Sequence, residues 1–465
     1  MGALACCFLS FVIIAGFGSA YQTPVGQTFR IQSDGENMNA LFNFLTFHTP
    51  LFYLIQSVWR DEAFSYFMAK PNLLKIIVTT AQDFNPPLYY LLLHLWMYMA
   101  GHSDIGLRLL SFIFHLIGSY YAYLIGRKVT DRKFAVFIFL FYLLNPMLLY
   151  YAFEMRMYSL YAMFTTLALF YLISKNWKAY TVSAVLGLYS HTFFLLLPLS
   201  FAVYAYILKK ARQEISLILR PLLFFIPWLP IVISQFIRSK ESWLFPVDWQ
   251  LIKSVLGNLF TGYEGTPWFL WKYTFYFSLF IIFCSFLSLR KKIKTALLFL
   301  IPIFLPLLLI LGYSVVKRPV YVNRYLIFIT VFEVFAVTYG IYAVRNKTFR
   351  FALAGILLSL VVFFNFYIVP FRKKTDFKSA FREINANLKN SDFVYARTPI
   401  GFLESAYYSA SEKKTFVYNP KDIAIPNYIG VNVIFKNISK FTYPASPART
   451  FLVADDASFE IIVSE

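Results

Sequence analysis

The sequence predicts an α-helical polytopic membrane protein with a small α/β domain at its C-terminal end. Three observations carry that reading. Of 465 residues, 59% are hydrophobic, 21% aromatic and only 14% charged, whereas soluble domains carry about 25% charged residues. Apolar runs of about 17–22 residues recur along the chain, each long enough to cross about 30 Å of hydrocarbon. Between the runs, basic residues gather in short loops: Arg127, Lys128, Arg132 and Lys133; Lys175 and Lys178; Lys209, Lys210 and Arg212; Arg290, Lys291, Lys292 and Lys294; Arg345, Lys347 and Arg350. That placement is the signature of cytoplasmic loops. The net charge of +20 therefore belongs to the membrane and implies no nucleic-acid partner.

About 11 transmembrane helices are expected, at 3–19, 105–126, 134–151, 157–174, 179–190, 192–208, 221–236, 271–288, 295–313, 325–343 and 351–369. The first lacks a basic leader and reads as an uncleaved span with a cytoplasmic N-terminus. Alternation puts every basic cluster on the cytoplasmic side. It puts residues 20–104, 152–156, 237–270, 314–324 and 370–465 outside, where most of the acidic residues fall. The apolar stretch Pro86 to Gly101 is too short to count without inverting the topology, so it reads as an interfacial helix in the first outer loop. Residues 179–208 have basic clusters at both ends and read as two short helices meeting at Ser190-His191. Short helices of this kind are tolerated where they line a cavity. Cys6, Cys7 and Cys284 offer neither a metal spacing nor a disulfide framework.

From Phe371 the charge rises and short alternating stretches appear at 393–395, 415–418, 431–435 and 451–453, after a helix from Asp376 to Leu388. The expected division is thus a membrane domain over 1–370 and an extracytoplasmic α/β domain over 371–465.

Chemistry could sit at five outer points. Trp59 to Tyr66 carries Asp61 and Glu62, and Gln82 to Tyr90 carries Asp83, Asn85 and the pair Pro86-Pro87. Carboxylates flanked by aromatics at a membrane surface can act as general bases, or they can be solvated loop acids. Glu154 and Arg156 occupy the tip between two spans, either as helix-end charges or as cavity groups. His191 lies at another tip, as a packed residue or a ligand. Lys317, Arg318 and Arg324, with Arg108 near the outer end of its span, are cations on the side where cations are scarce. A phosphate at headgroup level would explain them, and so would snorkelling to anionic lipids. Glu333 sits in mid-span, where an ionisable residue is costly.

The ordered set WRDEAFSY at Trp59, DFNPPLYYLLLHLW at Asp83, GLRLLS at Gly106, EMRMYSL at Glu154, YSH at Tyr189 and NRYL at Asn323 resembles the GT-C superfamily of membrane glycosyltransferases. The match is of the family 39 type, related to protein O-mannosyltransferases and lipid A aminoarabinose transferases, and DFKSAF at Asp376 resembles the start of the tail domain in bacterial members. The resemblance covers most of residues 55–370. It implies a GT-C fold with an outward-facing cavity, a polyprenyl-phosphate sugar donor and a protein, lipid or glycan acceptor.

By the same resemblance Asp61 is the catalytic base. Glu62, Asp83, Asn85, Glu154 and His191 would position donor or acceptor, and Arg108, Arg156, Lys317, Arg318 and Arg324 would bind phosphate. Asn85 stands where many relatives carry His, so it is given no proton transfer. Residues 21–47 have no counterpart in the family. No metal is expected as a requirement, although a divalent ion held by Asp61 and a second acid stays open because some superfamily members use one. Two other readings share some of these features. A flippase for lipid-linked sugars would not need Asp61 and should show symmetric repeats, which the sequence lacks. An inactive cell-envelope assembly protein would keep the fold alone.

Overall fold

The computed structural model describes residues 43–238, 244, 246–262 and 267–463. The span expected at 3–19 and most of the stretch 21–47 lie outside the described residues. The chain divides into two units, Met1–Phe44 and Leu45–Glu465, and the second carries all that follows.

Each of the ten later segments expected as spans is helical. Among the described residues, six helices are long and apolar enough to cross a bilayer: Asp104–Val129, Arg212–Ile237, Trp268–Lys291, Ile293–Val316, Asn323–Tyr342 and Lys347–Tyr367. A seventh is the pair Arg132–Leu144 and Pro146–Ala152, bent by 56°. The bend has a local cause. Pro146 lacks an amide hydrogen and disfavours helical backbone at the residue before it. Asn145 accordingly turns out to φ −56°, ψ 127° and caps the new helix by accepting from the Met147 and Leu148 amides. Leu88–Ala100, Tyr158–Ile173 and Thr192–Ile207 are apolar but shorter. The first of these is the helix expected at 86–101, and the last begins at the break expected beside His191.

The central element is Asn323–Tyr342, with every residue from Ile327 to Ile341 buried. Small residues let neighbours close on this core: a Cβ on Gly340 would collide with the Cys284 carbonyl, and one on Gly257 with the Thr274 carbonyl. Glu333 lies inside this helix, fully buried, and neither carboxyl oxygen has a partner among the described residues. At the basic ends the loops are pinned locally. Asp131 accepts from the Phe134 amide at 2.9 Å, and Glu214 pairs with Lys175 and Lys210 at 3.2 and 3.4 Å.

The C-terminal domain is a five-stranded sheet, β1 Phe393–Ala396, β2 Thr415–Tyr418, β3 Ser439–Lys440, β4 Arg449–Val453 and β5 Phe459–Val463, in the order β3-β2-β1-β4-β5. Pairings are parallel except β4 with β5. The helix Phe377–Asn387, expected from Asp376, packs Phe377, Phe381 and Ile384 on Val394, Phe451 and Val453. The expectation for 431–435 is corrected. This stretch alternates like a strand, yet Val431–Ile434 is a short helix following Gly430 at φ 81°. Tertiary packing overrides its β propensity, because the turn carries Phe435 onto Phe67 and Phe402, with ring centroids 5.0 and 5.2 Å away.

Candidate active site

The site grows from the helix Arg60–Ala69. The strand of chain before it is held rigidly by Arg108, whose guanidinium donates to the Leu54, Gln56 and Ser57 carbonyls at 2.9, 2.6 and 3.1 Å. The remaining N–H groups go to Glu62 at 2.8 and 2.6 Å. Glu62 is fully buried and also accepts from the Met155 amide at 2.9 Å. Two residues expected to meet ligands are thereby placed in a framework role. Arg108 has spent all five of its donors, and Glu62 is sealed behind the wall of the cavity. Consecutive helical residues point about 100° apart, so the carboxyl of Asp61 leaves on another side.

Asp61 opens into a cavity of about 450 Å³ that is also lined by Arg60, Asp83, Asn85, Arg156, His191, Arg318 and Arg324. Three guanidiniums surround its carboxylate: Arg324 at 3.4 Å, Arg60 at 3.7 Å and Arg156 at 3.8 Å. Burial pushes the Asp61 carboxyl up, but Arg156, Arg324, Arg60 and Lys374 together outweigh it and hold it below the usual carboxylate range. These contacts are longer than the 2.7–2.9 Å of a tight charge-assisted bond. The Glu62–Arg108 pair, by contrast, is tight. The cavity thus holds a loosely bound carboxylate among cations that can turn to another anion.

Each of the other groups is aimed by its own element. The Arg156 carbonyl accepts from Ser111 at 3.2 Å, and its side chain donates to the Asp61 carbonyl at 3.1 Å and to Ser65 at 3.3 Å. Arg324 follows Asn323, which is fixed by donating to the Asn258 carbonyl at 3.1 Å. Arg318 donates to the Phe236 carbonyl at 2.9 Å and stacks on the Phe236 ring. Asp83 is almost wholly buried, which pushes its carboxyl up, partly offset by the Phe84 amide, Arg156 and Asn85.

His191 lies flat on Tyr161, with centroids 4.8 Å apart, and its Nδ1 accepts from the Phe193 amide at 3.2 Å. Burial, then Arg156 and Arg324, push its imidazole down to about 3, so the ring is neutral and Nε2 carries the proton. That Nε2 is buried and has no partner among the described residues.

Of the expected residues, Asp61, Asp83, Asn85, His191, Arg156, Arg318 and Arg324 share the cavity. Glu62, Arg108 and Glu154 do not line it. Glu154 is buried against Lys374. Lys317 is exposed and also outside the lining. Sequence reasoning missed Arg60, although it stands inside the first motif. It also missed the tail segment Tyr428 to Gly430, which closes one side of the cavity. No local signal marks that segment except the glycine, whose Cβ would press on Phe64 at 2.9 Å. Among the described residues, no three His, Cys, Asp or Glu side chains come together as metal ligands, and the groups around Asp61 are cations.

The family of dolichyl-phosphate-mannose-protein mannosyltransferases matches over residues 85–233. No curated protein matches the sequence as a whole. Two crystal structures of ArnT from Cupriavidus metallidurans share the fold. The apo state aligns with TM-score 0.53 over 90% of this chain and 94% of that one. The form bound to undecaprenyl phosphate aligns with TM-score 0.55 over 90% and 93%. Identity is 12% in both, so the likeness is one of fold. With the family match, it bears out the resemblance to the GT-C membrane glycosyltransferases.

Proposed function

We propose that this chain, a multi-pass membrane protein with the GT-C fold, moves a sugar from a polyprenyl phosphate to an acceptor hydroxyl at the extracytoplasmic face, inverting the anomeric centre. The observation that carries the proposal is the loose contact of Asp61 with three arginines brought from separate parts of the chain into one cavity. The bound undecaprenyl phosphate of the structural relative suits the same reading for the donor.

In the resting site the arginines keep Asp61 ionised but make it a weak base. A donor phosphate entering the cavity competes for the same guanidiniums. As they turn to phosphate, Asp61 regains basicity at the moment it is needed. It then takes the proton of the acceptor hydroxyl while that oxygen attacks the anomeric carbon. The bond from that carbon to the phosphate oxygen breaks, and its electron pair stays on the phosphate. The phosphate's charge grows from one to two, which Arg156, Arg324 and Arg318 stabilise in a cavity screened from water. The neutral His191 donates Nε2–H to a ligand oxygen, and Asp83 with Asn85 orients sugar hydroxyls. No step is routed through a metal.

The test is the sugar-charged carrier in cells of the native host. With Asp61→Asn in place of the wild type, mass spectrometry is expected to find the polyprenyl-phosphate sugar accumulating, with transfer down at least about 100-fold. An unchanged carrier profile from a folded variant would refute the transferase and favour a flippase or an assembly protein.

A further inference from the structure

A second pocket, of about 330 Å³, lies between the first loop and the C-terminal domain. Its size falls within the range of about 300–1,000 Å³ common for small-molecule sites. Its lining includes Trp59, Arg60, Lys373, Thr375, Glu404 and Asp455. Arg60 lines this pocket and the Asp61 cavity alike, so the two are separated by one side chain.

Two buried polar atoms on its lining residues, Trp59 Nε1 and Glu404 Oε2, have no partner among the described residues. Such atoms cost free energy unless something satisfies them. Glu404 is 8% exposed, and burial pushes its carboxyl up to about 8 despite Arg60 nearby. It is therefore largely protonated at neutral pH and can donate as well as accept. The remaining lining groups are mixed in sign. An anion alone would meet Glu404 and Asp455, and an apolar ligand would leave the indole N–H and the carboxyl unsatisfied. A polyol answers both: its hydroxyls donate and accept, and the C–H face of a sugar ring packs on an indole.

We propose that this second pocket is the acceptor subsite and that it takes a carbohydrate headgroup, gripped by Trp59 and Glu404 and presented to Asp61 past Arg60. The proposal rests on the transferase reading and adds to it the class of acceptor.

A photoreactive diazirine side chain installed in place of Ile400, which lines this pocket and is 47% exposed, tests it in the full chain in native membranes. A second one in place of Phe84, in the Asp61 cavity, reads the donor side. Irradiation and mass spectrometry are expected to find a saccharide-bearing adduct at 400 and a polyprenyl adduct at 84. The mass at 400 tells a free glycan from a lipid-borne one. Glu404→Met, which removes the buried carboxyl at similar volume, is expected to cut the saccharide adduct about tenfold, since a buried group loses its hydrogen bond. Thr375→Val serves as a second, milder variant, with a smaller loss in the same direction. A peptide-only adduct at 400, no adduct there while 84 captures the carrier, or capture undiminished in both variants would overturn the proposal. Failure at 84 with saccharide captured at 400 would instead strike the transferase reading.

Discussion

Asp61 and Glu62 are neighbours in one motif with opposite fates. Glu62 is locked by Arg108 at 2.6–2.8 Å, and Asp61 is held at 3.4–3.8 Å by three cations. Breaking the buried pair strands a charge, so Arg108→Met is expected to cost about 3–5 kcal/mol of stability, read as a large drop in thermal unfolding temperature in detergent. An unaltered midpoint would contradict the framework role. The depressed Asp61 carboxyl predicts that the acid limb of kcat/KM lies below about 3.9, the ordinary Asp value. Once donor phosphate draws the arginines away, the limb in kcat is expected at higher pH. Coincident limbs would argue against competition for the guanidiniums.

Glu404 has the opposite sign. Its folded-state carboxyl is raised to about 8, so the folded chain holds a proton the unfolded chain loses near pH 4.3. Its contribution is full below about that pH and is lost as pH rises through about 8. Glu404→Gln should therefore flatten the fall of melting temperature over that window. The acid motif was legible in the sequence, but the division of labour within it was not. It follows from the 100° turn between helical neighbours and from Arg108, whose partners lie about fifty residues earlier in the chain.

At the scale of elements, two glycines set how closely helices approach. Gly257→Ala would drive Trp249–Thr261 from the Thr274 carbonyl, and overpacking of this kind costs about 1–3 kcal/mol. Thermal unfolding checks it, and a neutral result would mean that the two helices are not in register. The first loop is braced by the C-terminal domain. Asp104 accepts from the Tyr407 and Tyr408 hydroxyls at 3.0 Å each, and the Tyr408 hydroxyl accepts from the Val58 amide at 2.7 Å. Apolar runs, the Pro146 bend and the break at His191 were readable because their causes are local. The tail's reach to the cavity at Tyr428–Gly430 was not, because it depends on packing against Phe64 and Phe67, far away in sequence.

At the scale of the whole molecule, helices such as Asp104–Val129 run from the site to a basic loop, and 26 residues make about 39 Å of helix. The basic clusters and the cavity therefore lie at opposite ends, which the positive-inside rule converts into an extracytoplasmic site. In a chain otherwise lacking cysteine, a single cysteine replacing Asn390 in the tail should react with an impermeant maleimide on intact cells. One replacing Lys133 should react only after permeabilisation. The reverse pattern would invert the topology and remove the site from the outer face.

The central claim is that Asp61 and the carrier phosphate compete for the same arginines. Native mass spectrometry of the full chain with undecaprenyl phosphate tests it most directly. Asp61→Asn is expected to bind the lipid about tenfold more tightly, and Arg156→Met combined with Arg324→Met at least about tenfold more weakly, each tenfold being about 1.4 kcal/mol. Equal affinity across the wild type and both variants would contradict it.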